Sequence, residues 1–157
     1  MCTIKLRTTV LGVPTNPEPL DRQLCFSLYA ATRAVTGLYR EVLSEFGLTF
    51  PQYLVLLALW EQDGLTVREL GERLQLDSGT LSPLLRRLER AGYTNREHSV
   101  EDARVVHVHL TREGDALRSQ GGRIQGCLVD NLDLTYDEAS TLHALAHKVT
   151  DQARGRN

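Results

Sequence analysis

In the stretch Asp77-Ser78-Gly79-Thr80-Leu81-Ser82-Pro83-Leu84-Leu85-Arg86-Arg87-Leu88-Glu89-Arg90-Ala91-Gly92, apolar residues fall at a helical spacing. Leu81, Leu84, Leu85, Leu88 and Ala91 recur every three or four positions, as in a helix that buries one stripe. Ser78, Thr80, Ser82, Arg86, Arg87 and Arg90 share the remaining surface. Short hydroxyls followed by arginine forks suit the DNA major groove, where they meet base edges and phosphates. An ordinary amphipathic helix also carries a charged outer face, so the neighbouring sequence has to decide between the two.

Upstream, Thr66-Val67-Arg68-Glu69 has the form of a capping box and opens a short helix with Val67, Leu70 and Leu74 inward. Gln75 to Ser78 separate it from the first stretch, and two short amphipathic helices joined by a tight turn make a helix-turn-helix. Pro83 lacks an N–H and leaves the Gly79 carbonyl without its intrahelical partner, so the second helix is expected to start late or bend there. Downstream, Tyr93 to His98 and Arg104 to Leu110 read as two strands around the polar Ser99 to Ala103, a two-stranded wing. The fold class is therefore mainly α with a small β wing, a winged helix-turn-helix over residues 49–110.

The flanks complete the layout. Pro14, Pro17 and Pro19 make residues 1–20 a loose N-terminal arm. Asp21 is a plausible N-cap for a long helix through Leu24, Leu28, Ala31, Val35, Leu38 and Val42, stopped by Gly47. Thr49-Phe50-Pro51-Gln52 has the capping-box form and introduces an apolar helix from Tyr53 to Trp60. Thr111 begins a further helix containing Gly114, Gly121, Gly122 and Gly126, which should be soft or closely packed around Cys127. Thr135-x-x-Glu138 caps the last helix, Tyr136 to about Ala153. Residues 21–154 are read as one domain. The long helices over 21–47 and 111–154 would leave apolar faces exposed in a monomer, and a homodimer would cover them.

Composition narrows the function classes. The 157 residues suffice for one compact domain. The longest unbroken apolar run, Leu54 to Trp60, is far below the roughly 20 residues of a membrane helix, so no membrane association is expected. Residues 1–13 lack the apolar core of a secretory signal, and a cytoplasmic location is expected. Cys2, Cys25 and Cys127 form an odd set without metal-type spacing, against both a disulfide scaffold and a structural zinc site. The net charge of −2 argues weakly against nucleic acid. Ser78 to Thr111 nevertheless carry a local excess of a single positive charge, and position matters more than the sum. His107 and His109, and His143 and His147, have ligand-like spacings, but neither pair has a Cys or carboxylate completing a set. No metal and no cofactor are expected.

From about Leu20 to Ala153 the chain resembles the MarR family of dimeric winged-helix regulators, on the wing pattern Asp102-Ala103-Arg104 followed by Leu110-Thr111. More narrowly, three stretches look like the organic-hydroperoxide-sensing repressors of that family. They are Leu24-Cys25-Phe26 with Tyr29 and Tyr39, Leu48-Thr49-Phe50-Pro51-Gln52-Tyr53, and Leu76-Asp77-Ser78-Gly79-Thr80-Leu81. Cys2 and the N-terminal arm match no part of the family pattern. The resemblance implies a homodimer on a double-stranded DNA operator, with Cys25 as the thiol that meets the oxidant, an organic hydroperoxide. Arg104, oriented by Asp102, would serve the wing.

The thiolate is the form that attacks a peroxide, and a place near a helix N-terminus favours it, an opportunity open to Cys25 close behind Asp21. Tyr29 lies one turn on, where its hydroxyl can donate to sulfur. Tyr39 is 14 positions further, roughly 21 Å along a straight helix. It can serve Cys25 only across a dimer whose first helices run antiparallel, as the resemblance implies. The bland alternative makes Cys25 a small hydrophobe and the tyrosines core packing. Sulfenic acid at Cys25 would condense with a nearby thiol, and the resemblance implies that Cys127 is the partner-derived resolving thiol of the two-cysteine subgroup. Two rivals stand beside this reading: a regulator of the same fold that answers to an apolar or phenolic ligand, and a thiol peroxidase, which would leave the arginine-bearing helix and wing unexplained.

Overall fold

The computed structural model describes residues 18–155 and divides the chain into two compact units, residues 1–35 and 36–157. Most of the expected N-terminal arm, including Cys2, lies outside the described residues. The first unit holds a short 3-10 turn, Leu20–Arg22, and the opening turns of α1, Leu24–Ser44. Asp21 sits inside the 3-10 turn, so it is not the cap of α1 as the sequence suggested. Gln23 takes that place: its backbone is extended, and its carbonyl accepts the Ser27 N–H at 3.0 Å. The correction puts Cys25 at the second residue of α1.

In the second unit, α2 (Phe50–Glu61) is the central element, with Gln52, Tyr53, Val55, Leu56, Ala58, Leu59 and Trp60 all buried. A helix apolar on every side belongs inside a core. Its start is fixed by the expected cap, where the Thr49 N–H and hydroxyl donate to Gln52 Oε1 at 2.8 and 2.9 Å. The winged unit follows as β1 (Leu65–Thr66), α3 (Val67–Leu74), α4 (Ser78–Arg90), β2 (Thr94–His98) and β3 (Val106–Leu110). α3 and α4 bury Leu70, Leu81, Leu85 and Leu88 into the same core, while Ala91 lies exposed beyond the end of α4.

Two expectations about this unit are corrected. α4 starts at Ser78 despite Pro83, because Asp77 Oδ1 accepts the Thr80 N–H at 2.9 Å and supplies the cap. The wing also gains a third strand, giving an antiparallel sheet in the order β1-β3-β2. Leu65 pairs with Val108, while Arg96 pairs with the same Val108 from the other side. β1 has only two residues, too short for any alternation to mark it in the sequence.

The helix expected from Thr111 is broken into α5 (Arg112–Ala116), a 3-10 turn (Leu117–Gln120) and α6 (Gly121–Leu132). Gly114 is where close packing is required, since a Cβ there would collide with the Tyr93 carbonyl oxygen. The Gly114 carbonyl accepts Trp60 Nε1 at 2.9 Å, tying α5 to α2. Gly121, Gly122 and Gly126 face open space, so these three soften the helix without packing it. α7, Tyr136–Arg154, starts at Thr135, whose N–H donates to Glu138 Oε2 at 2.9 Å. No residue of α7 is buried, and Leu142, Leu145 and Val149 lie exposed along it.

Candidate nucleic-acid interface and thiol sites

The polar face of α4 is built from its cap outward. Asp77 accepts both the N–H and, at 3.0 Å, the hydroxyl of Thr80, and these hydrogen bonds hold its carboxyl below the usual carboxylate range. The Thr80 hydroxyl is therefore engaged by the cap, whereas Ser78 is exposed and Ser82 half-buried. Arg86 and Arg87 are exposed, and among the described residues neither has an ion-pair partner. Two exposed guanidinium groups, one after the other on a helix, have the donors to take phosphates or base edges.

The wing loop is tied back on itself. Ser99 N–H donates to the Val105 carbonyl at 2.9 Å, and His98 Nδ1 lies 2.9 Å from the Ala103 carbonyl oxygen. Asp102 grips Arg104 through Nε at 3.1 Å and Nη2 at 3.2 Å, which lowers the Asp102 carboxyl and leaves the guanidinium aimed outward, its side chain 92% exposed. Between α3, α4 and the wing runs a groove of about 730 Å³ lined by Ser82, Leu85, Arg104 and Val106. Arg68 and Arg96 also line it, two cations the sequence reading did not assign to the DNA face. Arg68 is paired with Glu72 at 2.9 Å and Arg96 with Glu89 at 2.6 Å, so both are partly neutralised.

The two described thiols are free and fall in different units. Cys25 is exposed in the first turn of α1. Tyr29 is on the same stripe one turn on, and its Oη accepts Arg33 Nη1 at 3.2 Å, while the Arg33 guanidinium lies 5.7 Å from the Tyr29 ring centroid. No hydrogen bond joins Tyr29 to the Cys25 sulfur. Arg33 is a residue that sequence reasoning missed, although its spacing of four from Tyr29 and eight from Cys25 was legible.

Tyr39 stacks on Phe50, with ring centroids 4.7 Å apart, and lies 5.8 Å from the ring of Tyr53. Burial raises its hydroxyl pKa, and the negative charge of an ionised Cys127 raises it further. Tyr39 therefore remains a protonated donor, and within one chain its thiol neighbour is Cys127. Cys127 packs half-buried against the core and opens onto a groove of about 510 Å³ lined by Glu41, Glu45, Arg123 and Asp130. Asn131 Nδ2 donates to its carbonyl at 2.7 Å, and Arg123 reaches Glu45 at 2.7 Å.

Among the described residues, no group of three or more His, Cys, Asp or Glu is arranged to hold a metal ion. None of their helices is long and apolar enough to cross a membrane.

A model described as MarR family matches residues 48–106. The chain is similar to the organic hydroperoxide resistance transcriptional regulator of Bacillus subtilis, 46% identical over 138 residues that span 88% of this chain and 94% of that one. Among solved structures it is similar to reduced AbfR bound to DNA, with TM-score 0.75 and 33% identity over 87% of this chain and 93% of that one. AbfR is a Staphylococcus epidermidis protein. The same protein with its disulfide formed matches at TM-score 0.63 and 35% identity, over 87% of this chain and 92% of that one. The PcaV transcriptional regulator of Streptomyces coelicolor, in complex with its natural ligand, matches at TM-score 0.78 and 31% identity over 88% and 99%.

Proposed function

The chain belongs to the MarR family, and on that premise we propose that it is a homodimeric transcriptional repressor that binds a double-stranded DNA operator and releases it when an organic hydroperoxide oxidises Cys25. In this reading α4 enters the major groove with Arg86 and Arg87, and the wing carries Arg104 toward the minor groove. A second copy covers the apolar side chains that α7 leaves in water, Leu142, Leu145 and Val149. DNA-bound AbfR supports the docking mode.

The observation that carries the sensing step is the place of Cys25, exposed at the second residue of a 21-residue helix with Tyr29 and Arg33 on the same stripe. The thiolate sulfur attacks the terminal peroxide oxygen, the O–O bond breaks, and the other oxygen leaves as an alcohol after taking a proton. Sulfur is oxidised to sulfenic acid, and the hydroperoxide is reduced. The partner's Cys127 then displaces hydroxide from that sulfur, forming a disulfide and releasing water. A covalent link between subunits shifts the separation of the two α4 helices, and the operator is released. The disulfide-formed state of AbfR and the hydroperoxide-resistance relative support this chemistry.

One feature favours a second reading. The groove of about 730 Å³ beside α4 has room for a small aromatic molecule, and the PcaV relative was solved with its natural ligand. Titrating operator release with cumene hydroperoxide and with a panel of small apolar and phenolic compounds separates the two. The sensing reading expects release by the hydroperoxide alone, reversed by a dithiol. Release by a phenolic compound with both thiols still reduced would replace it.

A further inference from the structure

We propose that His143 and His147 form a two-histidine chelating site for a late first-row divalent metal ion on α7. Four residues apart on a helix, two imidazoles project to the same side, which is the spacing helical zinc sites use. Here their Nε2 atoms converge to 3.1 Å, with ring centroids 4.3 Å apart. Two nitrogens at that separation, each at the roughly 2.0–2.1 Å of a metal–imidazole bond, subtend an angle of about 100° at the ion, between octahedral and tetrahedral values.

Without an ion, one Nε2–H donates to the other Nε2. A metal ion takes the place of that shared proton once the two exposed rings swing so that both lone pairs face it. Both rings are exposed, which gives the ion a path in. No third His, Cys, Asp or Glu among the described residues joins them, so water fills the remaining positions and the ion exchanges readily. Imidazole ligands favour nickel, copper and zinc over magnesium or calcium.

The pair also lies on another side of α7 from the apolar stripe assigned above to a second copy. At 3.6 residues per turn it lies roughly 150° around α7 from the stripe of Leu142, Leu145 and Val149. The site is independent of the thiols and of the DNA face, and its failure would leave the proposed function untouched.

The test is isothermal titration of Ni²⁺ into the full-length chain with its thiols kept reduced, beside His143→Ala, His147→Ala and a His107→Ala/His109→Ala double variant. The expected result is one ion per chain in the wild type and a loss of about tenfold or more in affinity in each α7 variant. The wing variant should bind as the wild type does. Both α7 positions are exposed, so circular dichroism should show the variants folded. Nickel affinity unchanged in His143→Ala, binding lost in the wing variant, or no binding by the wild type would each overturn the assignment.

Discussion

At the level of single residues, Arg33 turns back onto Tyr29 one turn along the helix that carries Cys25. Its guanidinium donates to Tyr29 Oη, and on the proposed sensing chemistry that charge-assisted hydrogen bond would strengthen the Tyr29 hydroxyl as a donor to the sulfur one turn back. If the stripe acts this way, Arg33→Ala should slow sulfenic acid formation at Cys25 about tenfold, the equivalent of one charge-assisted hydrogen bond. Dimedone trapping at fixed hydroperoxide measures that rate, and an unchanged rate would confine Arg33 to a surface role. The residues of this stripe were legible from their spacing, but the hydrogen bond was not. A cation on a solvated helix face is the ordinary case, and nothing in the sequence distinguishes one that turns toward a phenol. Tyr39 shows the converse: its role was assigned from the resemblance, while packing seats it on Phe50 and beside Cys127.

The caps set the elements, and they titrate. The carboxyls of Glu69 and Glu138 are held below the usual range by hydrogen bonds from Thr66 and Thr135. Groups with lowered folded values stabilise the protein above the unfolded carboxylate pKa of about 4, and that contribution fades as pH falls through the folded values. A Glu69→Gln/Glu138→Gln variant keeps an oxygen acceptor that cannot titrate, as Gln52 already does in α2. Its urea midpoint should therefore fall less steeply below about pH 4 than that of the wild type, and parallel slopes would contradict this account of the caps. On α4, Arg86→Ala or Arg87→Ala should weaken operator binding by about 1–3 kcal/mol where the side chain makes a bidentate base contact. Unchanged affinity in both would remove α4 from the reading surface.

All three capping boxes were readable because side-chain chemistry at fixed spacing specifies them. The start of α1, the two-residue β1 and the break after Ala116 were not, since backbone geometry and distant partners determine those points. Gly114 illustrates this: its conformation answers to the Tyr93 carbonyl, far off in the chain. Gly114→Ala should destabilise the unit by about 1–3 kcal/mol in urea unfolding, because the backbone there has no room for a methyl group. Stability equal to the wild type would show that the close approach relaxes freely.

At the scale of the whole molecule, the proposal requires two chains. Cys25 and Cys127 lie in different compact units, and the sensing step links one chain's Cys25 to the partner's Cys127. Oxidised wild type should migrate as a linked dimer on non-reducing electrophoresis, whereas Cys127→Ser should stay monomeric in the gel and advance to sulfinic acid at Cys25. A disulfide closed within one chain would refute the exchange between subunits. The MarR-type layout was legible because helical periodicity, caps and wing pattern agreed with one another. The central claim, that oxidation of Cys25 is what releases the operator, is tested by one paired measurement. Mass spectrometry of Cys25 and an operator mobility shift are read on the same samples across a hydroperoxide titration, for the wild type and Cys25→Ser. The account predicts that wild-type release tracks Cys25 oxidation and that Cys25→Ser stays bound throughout; operator release from Cys25→Ser at the same hydroperoxide concentration would contradict it.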